Sequence, residues 1–205
     1  MRKITLSFFA LFFIVTGNVQ AAFDEGIEYR AIKPAVPTQS GKKIEVVELF
    51  WYGCPHCFRL EPRLEQWKKT KPANVEFIRI PAIFNKRWEL HAKAFYTAEV
   101  LGVLDKIHTP LFDEIHVKKK HLHKKSDIKA FFIKHGVKAK DFDNTFDSFM
   151  VNIRVNRAKD LTKRYGIDGV PSLVVNGKYL TDGPMSSGHA NLMKMLDFLI
   201  KKEDK

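Results

Sequence analysis

The sequence predicts an α/β fold in which two stretches of mixed strand and helix flank an all-helical insertion. Three observations carry this expectation. Ile44 to Trp51, a β-branched and aromatic run, leads into Cys54-Pro55-His56-Cys57 and an apolar helical stripe. A further extended run follows at Val75 to Ile80, completing the strand–helix–strand order of a βαβ unit. From Asn85 to Met150 the apolar residues fall at helical spacing, with no convincing strand. After that, Ser172-Leu173-Val174-Val175, Asn176-Gly177 and Lys178-Tyr179-Leu180 read as an antiparallel hairpin. The organisation expected is a cleavable leader over residues 1–21, a first mixed part over 22–84, the helical insertion over 85–150 and a second mixed part over 151–205.

Composition narrows the function classes. A chain of 205 residues with 45% hydrophobic and 28% charged residues is globular in character, and that length buries a full core without covalent help. Its two cysteines lie within one four-residue segment, Cys54 to Cys57. That excludes a disulfide-stapled mini-fold and a zinc site built from four thiolates. The thiol chemistry is free to be functional.

Arg2 and Lys3, the mostly apolar run Ile4 to Val15, and Val19-Gln20-Ala21 have the order of a charged n-region, an h-region too short to span a bilayer, and a small-residue cleavage site. Cleavage is expected after Ala21. The formal net charge then falls from +12 to 33 − 23 = +10. The competing reading is an N-terminal membrane anchor. No other stretch approaches 18 consecutive apolar residues, so no stable membrane insertion of the exported product is expected. Export places both thiols where a disulfide persists.

Ile44 to Trp51 is apolar on both faces and suits a central strand covered on both sides. A helix is expected to start at Cys54, with Pro55 at the first helical position, where a missing N–H costs nothing. Leu60, Leu64 and Trp67 line its apolar face, and Pro62 should kink it. In the insertion, one helix runs through Ala92, Phe95 and Tyr96 toward Gly102. A second stretch, Leu104 to Ile115, is interrupted at Pro110. Ser126-Asp127 are placed to cap a helix through Phe131 and Phe132, and Asp141 to Met150 make a last short one. Beyond the insertion, Val151, Val155, Ala158, Leu161 and Tyr165 share one helical face that ends at Gly166. Leu192, Met195, Leu196 and Leu199 face inward from a closing helix.

The chemistry concentrates at Cys54-Pro55-His56-Cys57. A cysteine at the first turn of a helix faces orphan N–H groups and the positive end of the helix dipole, which stabilise a thiolate. Cys54, at the exposed end, is the expected attacking or attacked sulfur, and Cys57, one turn in, its buried resolving partner. The His56 imidazole is placed to donate toward the Cys54 thiolate, so that His56→Leu should raise the Cys54 pKa. The competing readings are half of a zinc site completed by two of the eight histidines, and a structural disulfide. The latter closes too small a loop to stabilise much. A second cluster, His116-Val117-Lys118-Lys119-Lys120-His121-Leu122-His123-Lys124-Lys125, offers two imidazoles in a His-x-His pattern. Its lysines repel a cation and no aromatic interleaves them, so a solvated face is expected there, with no nucleic-acid role and no metal.

Glu48-Leu49-Phe50-Trp51-Tyr52-Gly53-Cys54-Pro55-His56-Cys57, together with Gly169-Val170-Pro171 and Asn176-Gly177-Lys178-Tyr179, resembles the DsbA family of periplasmic thiol:disulfide oxidoreductases. The resemblance covers essentially the whole chain after the leader. It implies a thioredoxin fold with an inserted helical domain. A low-pKa cysteine and a strongly oxidising disulfide are known properties of that family and are not read from this sequence.

Position by position, the resemblance implies a cis-proline at Pro171, beside the CxxC, that helps hold substrate as an added strand, with Val170 before it. Glu48, Glu61 and Arg79 match charged positions near the site. Glu48 also stands out from the residues alone, since a carboxylate in a two-sided apolar strand must be paired or protonated. Such a group can exchange a proton with Cys57, and the competing reading is a plain charge network. The implied partners are unfolded exported proteins and a DsbB-type, quinone-linked inner-membrane oxidase. No dissociable cofactor is expected, because the redox group is the disulfide. Isomerases of this fold commonly carry an added dimerisation segment. Only about 20 residues (Ala22 to Gly41) precede the first long strand here, so a monomer is expected. Oxidase and isomerase or reductase share the chemistry. A non-catalytic zinc-binding or chaperone module is the alternative from another class.

Overall fold

The computed structural model describes residues 23–204, so the expected leader and its cleavage point lie outside the described residues. The sheet has five strands: β1 (Arg30–Ala31), β2 (Ile44–Phe50), β3 (Val75–Pro81), β4 (Ser172–Val175) and β5 (Tyr179–Asp182), in the order β1-β5-β4-β2-β3. Every residue of β2 is buried, as its apolar pattern on both faces requires. It runs parallel to β3, from Ile44↔Val75 to Phe50↔Pro81, and antiparallel to β4. This is the thioredoxin arrangement. The two-residue β1, antiparallel to β5, is too short to leave a periodic signal in the sequence.

Seven helices among the described residues cover the sheet: α1 (Pro55–Thr70), α2 (Lys86–Val100), α3 (Leu104–His116), α4 (Lys125–Lys134), α5 (Ala139–Phe146), α6 (Phe149–Arg164) and α7 (His189–Glu203). Alternation along the strands divides the core. Ile44, Val46, Leu173 and Val175 point to one face, where Leu60, Leu64 and Trp67 of α1 meet Leu192, Met195, Leu196 and Leu199 of α7. Val47, Leu49 and Val174 point to the other, against Phe95, Phe112, Phe132 and Phe142 of the inserted helices. Each such aliphatic or aromatic side chain contributes about 1.5–3 kcal/mol on burial. None of these helices is long and apolar enough to cross a membrane.

Several boundaries differ from the sequence reading. α3 continues through Pro110, which lies inside the helix where an interruption was expected. The ring removes one N–H bond of the ladder, and packing of Ile107, Leu111 and Ile115 outweighs that loss. α4 starts at Lys125 after Lys124, with no side-chain cap, so Ser126 and Asp127 fall inside its first turn. The helix expected over Asp141 to Met150 divides. α5 ends at Phe146, and Ser148 caps α6 by accepting from Val151 N at 3.3 Å. The boundary drawn at 150/151 therefore lies within α6.

The hairpin between β4 and β5 follows the Asn176-Gly177 signal. Both residues have positive φ, +52° and +64°, as a two-residue primed turn requires, and Lys178 N donates to Val175 O at 3.0 Å. Gly177 is demanded twice. A Cβ there would come within 1.9 Å of Val36 O, in the strap whose Val36 N donates to Gly177 O. Gly177→Ala should therefore cost roughly 1–3 kcal/mol, read as a lower denaturation midpoint with unchanged slope in urea. An unchanged midpoint would contradict this close approach.

Candidate active site

β2 ends at Phe50, and the next residues turn sharply into α1. Cys54 N donates to Trp51 O at 2.9 Å, and Cys54, with extended backbone, is the N-cap of α1. Its sulfur takes the role usually filled by a serine or aspartate oxygen, accepting from Cys57 N at 3.3 Å. Pro55 follows at the first position. Gly53 has no room for a side chain, because a Cβ would meet the Trp51 indole at 2.3 Å.

Both cysteines are free thiols, Cys54 at 6% exposure and Cys57 at 0%. Cys54, expected at the exposed end of the pair, is thus more open than Cys57 but itself buried. Its environment is asymmetric. The Cys57 thiol, the main-chain N–H groups of Cys57 and His56, and the Arg59 guanidinium act against burial and bring Cys54 from 9.0 down to about 7. Burial, the Cys54 sulfur and Glu48 push Cys57 well above its ordinary value. On the far side, the Cys54 thiol donates to Val170 O at 3.3 Å, and the Val170–Pro171 peptide bond is cis. Val170, Pro171, His56, Pro184 and His189 line a cavity of about 320 Å³ beside the sulfur.

His56 does not act as the sequence suggested. Arg59, which can only donate, binds its Nδ1 at 2.9 Å, so the imidazole is turned to Arg59 and not to the sulfur. What His56 gives the thiolate is its main-chain N–H, which a leucine would also supply. Arg59, one turn into the helix, is the positive side chain that acts on Cys54. The sequence signal for it is its place two residues past Cys57.

Glu48, Glu61 and Arg79 come together. Parallel pairing of β2 and β3 sets Glu48 opposite Arg79. Arg79 Nε donates to Glu48 at 2.9 Å, Nη2 donates to both Glu61 oxygens at 2.8 and 2.9 Å, and Nη1 lies 2.9 Å from Glu65 as a third carboxylate. Glu48 and Glu61 are 1% and 3% exposed. One guanidinium cannot compensate two desolvated carboxylates. Burial raises both, Glu61 to about 7, with Arg79 opposing, while the carboxylates raise Arg79 and hold it charged.

Sequence reasoning missed Tyr52, Glu65 and His108. Tyr52 OH lies 2.8 Å from His108 Nδ1, and His108 Nε2 lies 3.4 Å from Glu61 Oε1. His116, assigned there to a solvated face, instead donates through Nε2 to Tyr52 O at 2.8 Å and stacks on Phe58. His121 and His123 sit side by side on the exposed loop, and no group of three metal-ligating side chains occurs among the described residues.

The depressed Cys54 pKa makes a signed prediction. A thiolate favoured by the fold adds stability that is fully present above the ordinary 9.0 and is lost as pH falls through about 7. The oxidised protein has no such proton. Denaturation midpoints of the reduced protein should gain on those of the oxidised one between about pH 7 and 9, and thiolate absorbance should titrate near 7. Cys57, shifted the other way, acts in the opposite sense only beyond its ordinary 9.0. A constant gap, with absorbance rising near 9, contradicts the stabilised thiolate.

Residues 75–199 match the family model described as a DSBA-like thioredoxin domain. The chain is 41% identical over 188 residues to a thiol:disulfide interchange protein DsbA of Pseudomonas syringae pv. tomato, covering 91% of this chain and 88% of that protein. It is 39% identical over 210 residues to the one from Azotobacter vinelandii, covering 99% and 98%. The crystal structure of Pseudomonas aeruginosa DsbA superposes with a TM-score of 0.85 at 40% identity, over 89% of this chain and 95% of that one. That of the oxidoreductase DsbA from Xylella fastidiosa gives 0.81 at 31%, over 86% and 95%. With two thiols of opposed acidity at the start of α1 and a cis-proline facing them, the chain belongs to the DSBA-like thioredoxin family and is a thiol:disulfide oxidoreductase.

Proposed function

We propose that the protein is a periplasmic dithiol oxidase that gives its Cys54–Cys57 disulfide to newly exported, unfolded proteins. The observation that carries this reading is the opposed acidity of the two sulfurs: Cys54 is held near 7 and Cys57 well above its ordinary value. A substrate thiolate attacks Cys54 Sγ, the Cys54–Cys57 bond breaks, and Cys57 leaves with the electron pair and takes up a proton. The cluster around Glu48, whose charge acts on Cys57, is the candidate proton source. A second substrate thiolate then attacks the substrate sulfur of the mixed disulfide, and Cys54 departs as a stabilised thiolate. The substrate has lost two electrons and the enzyme has gained them. The easy departure of Cys54 favours the reduced enzyme and makes its disulfide a good oxidant.

Val170 O and Pro171 line the groove beside Cys54, where an extended substrate segment can add alongside the loop. Reoxidation falls to a DsbB-type, quinone-linked inner-membrane oxidase, and the protein itself carries no dissociable cofactor. It reaches the periplasm by cleavage after Ala21 and works there as a monomer.

Oxidative refolding of reduced ribonuclease tests the reading. Cys54→Ser should lose at least about a hundredfold in rate, and Cys57→Ser should accumulate the mixed disulfide. Retained exchange in Cys54→Ser removes the enzymatic assignment. Equilibration with glutathione, and the yield from scrambled ribonuclease, separate oxidase from isomerase or reductase. A disulfide more stable than that of glutathione would overturn the oxidase direction.

A further inference from the structure

The charge cluster beside Cys57 has a member on the inserted helices. His108 of α3 is 4% exposed and Tyr52 is fully buried. The imidazole stands edge-on to Phe50, Phe95 and Phe112, with ring centroids 5.2, 6.1 and 5.3 Å away. An aliphatic side chain would pack against those rings without burying two polar nitrogens, so packing alone does not account for an imidazole here. Its tautomer follows from its neighbours. The phenol of Tyr52 is kept protonated by burial and has no other acceptor among the described residues, so it donates to Nδ1 at 2.8 Å. The ring proton is therefore on Nε2, a buried N–H that makes no hydrogen bond among the described residues, with the Glu61 carboxylate oxygen Oε1 3.4 Å away. Burial and Arg79 hold the imidazole down to about 3, so it stands beside Glu61 as a neutral ring with its N–H unpaired.

We propose that His108 is a positioning residue for the thiol exchange, fixed in its tautomer by Tyr52 and holding an unpaired Nε2–H within reach of Glu61, so that it sets when this carboxyl in the charge cluster behind Cys57 holds a proton. This rests on the oxidoreductase reading of Cys54 and Cys57. An N–H dipole beside Glu61 favours its ionised form and opposes the burial that raises it. The other groups facing the pair are Glu48 from β2, Glu65 and Lys68 from α1 and Arg79 from β3. Asp105 lies on the same helix as His108. A cavity of about 460 Å³, lined by His108, Arg79, Glu65, Asp105 and Thr109, brings solvent to this side of the cluster.

The test compares wild type with His108→Leu, His108→Gln and Tyr52→Phe. The Glu61 carboxyl is titrated by carbon NMR of the reduced, glutamate-labelled protein, with Glu61→Gln assigning the signal. The Cys54–Cys57 equilibrium with glutathione is followed over the same pH range. His108→Leu should raise the Glu61 midpoint by about half a pH unit or more, and the break in the redox profile should move with it. His108→Gln, which restores a donor that cannot titrate, should return both toward wild type. Tyr52→Phe should shift them in the same direction by less, because the tautomer is then no longer fixed. Coincident wild-type and His108→Leu profiles overturn the proposal, as does a His108→Gln protein that behaves like His108→Leu. Should the leucine variant fail to fold, the glutamine and phenylalanine variants still decide. Failure of the oxidoreductase reading looks different: Cys54→Ser would retain exchange, whatever the Glu61 titration shows.

Discussion

A sulfur atom capping a helix is the contact on which the remainder of the site depends. The first N–H groups of any α-helix need acceptors, and α1 meets that need with Cys54 Sγ. The same contact that completes the helix stabilises the thiolate, so the demand of folding and the demand of chemistry coincide. The geometry has prerequisites upstream. β2 must be central and fully buried to hold the turn in place, Gly53 must lack a side chain beside Trp51, and Pro55 must tolerate a first-turn position with no N–H to satisfy. Cys57 then falls one turn in, where burial makes ionisation costly. Two identical side chains become unlike acids through position alone.

The buried charges behind this turn work in the opposite direction. Glu48, Glu61 and Arg79 would be replaced by apolar residues if core stability were the only demand, since desolvating an ion pair commonly offsets its Coulomb gain. Here two carboxylates share one guanidinium, and neither is fully compensated. That frustration leaves a carboxyl with a pKa of about 7 within a few residues of a thiol that burial holds protonated. The stability forgone in the core is recovered elsewhere, in the aliphatic face between α1 and α7 and the aromatic face under the insertion.

The elements whose signals are local were legible in the sequence. β2 announces itself by apolar residues on both faces, the hairpin by Asn176-Gly177, and the redox pair by its place after a strand. Helix limits were less legible, because propensity competes with tertiary packing: Pro110 stays inside α3, and Ser148 outcompetes the apolar periodicity that joined α5 to α6. The orientation of His56 was not legible at all. Adjacency in sequence suggested the thiolate as its partner, while the helix brings Arg59, three residues on, to its ring. Glu48 and Arg79 were recognisable as a pair only through family resemblance, although parallel register between two strands already identified would have placed them opposite each other.

The insertion is part of the site because of a stripe that its sequence carries openly. His108, Phe112 and His116 stand at i, i+4 and i+8 of α3, and such residues lie along one helix face. All three meet Tyr52. His108 takes its hydroxyl, Phe112 packs on its ring with centroids 4.9 Å apart, and His116 takes its carbonyl. One residue of the active-site turn is thereby held at its side-chain tip, its ring and its backbone by a single helix. The role of the stripe was hidden because a histidine on an apolar helix face reads as either exposed or incidental, and nothing local tells which. Its meaning appears only when the sheet brings Tyr52 beneath it. Displacing α3 would free the turn that positions Cys54 and withdraw the imidazole beside Glu61 together, so one rigid element ties the geometry of the thiol to the buried charges.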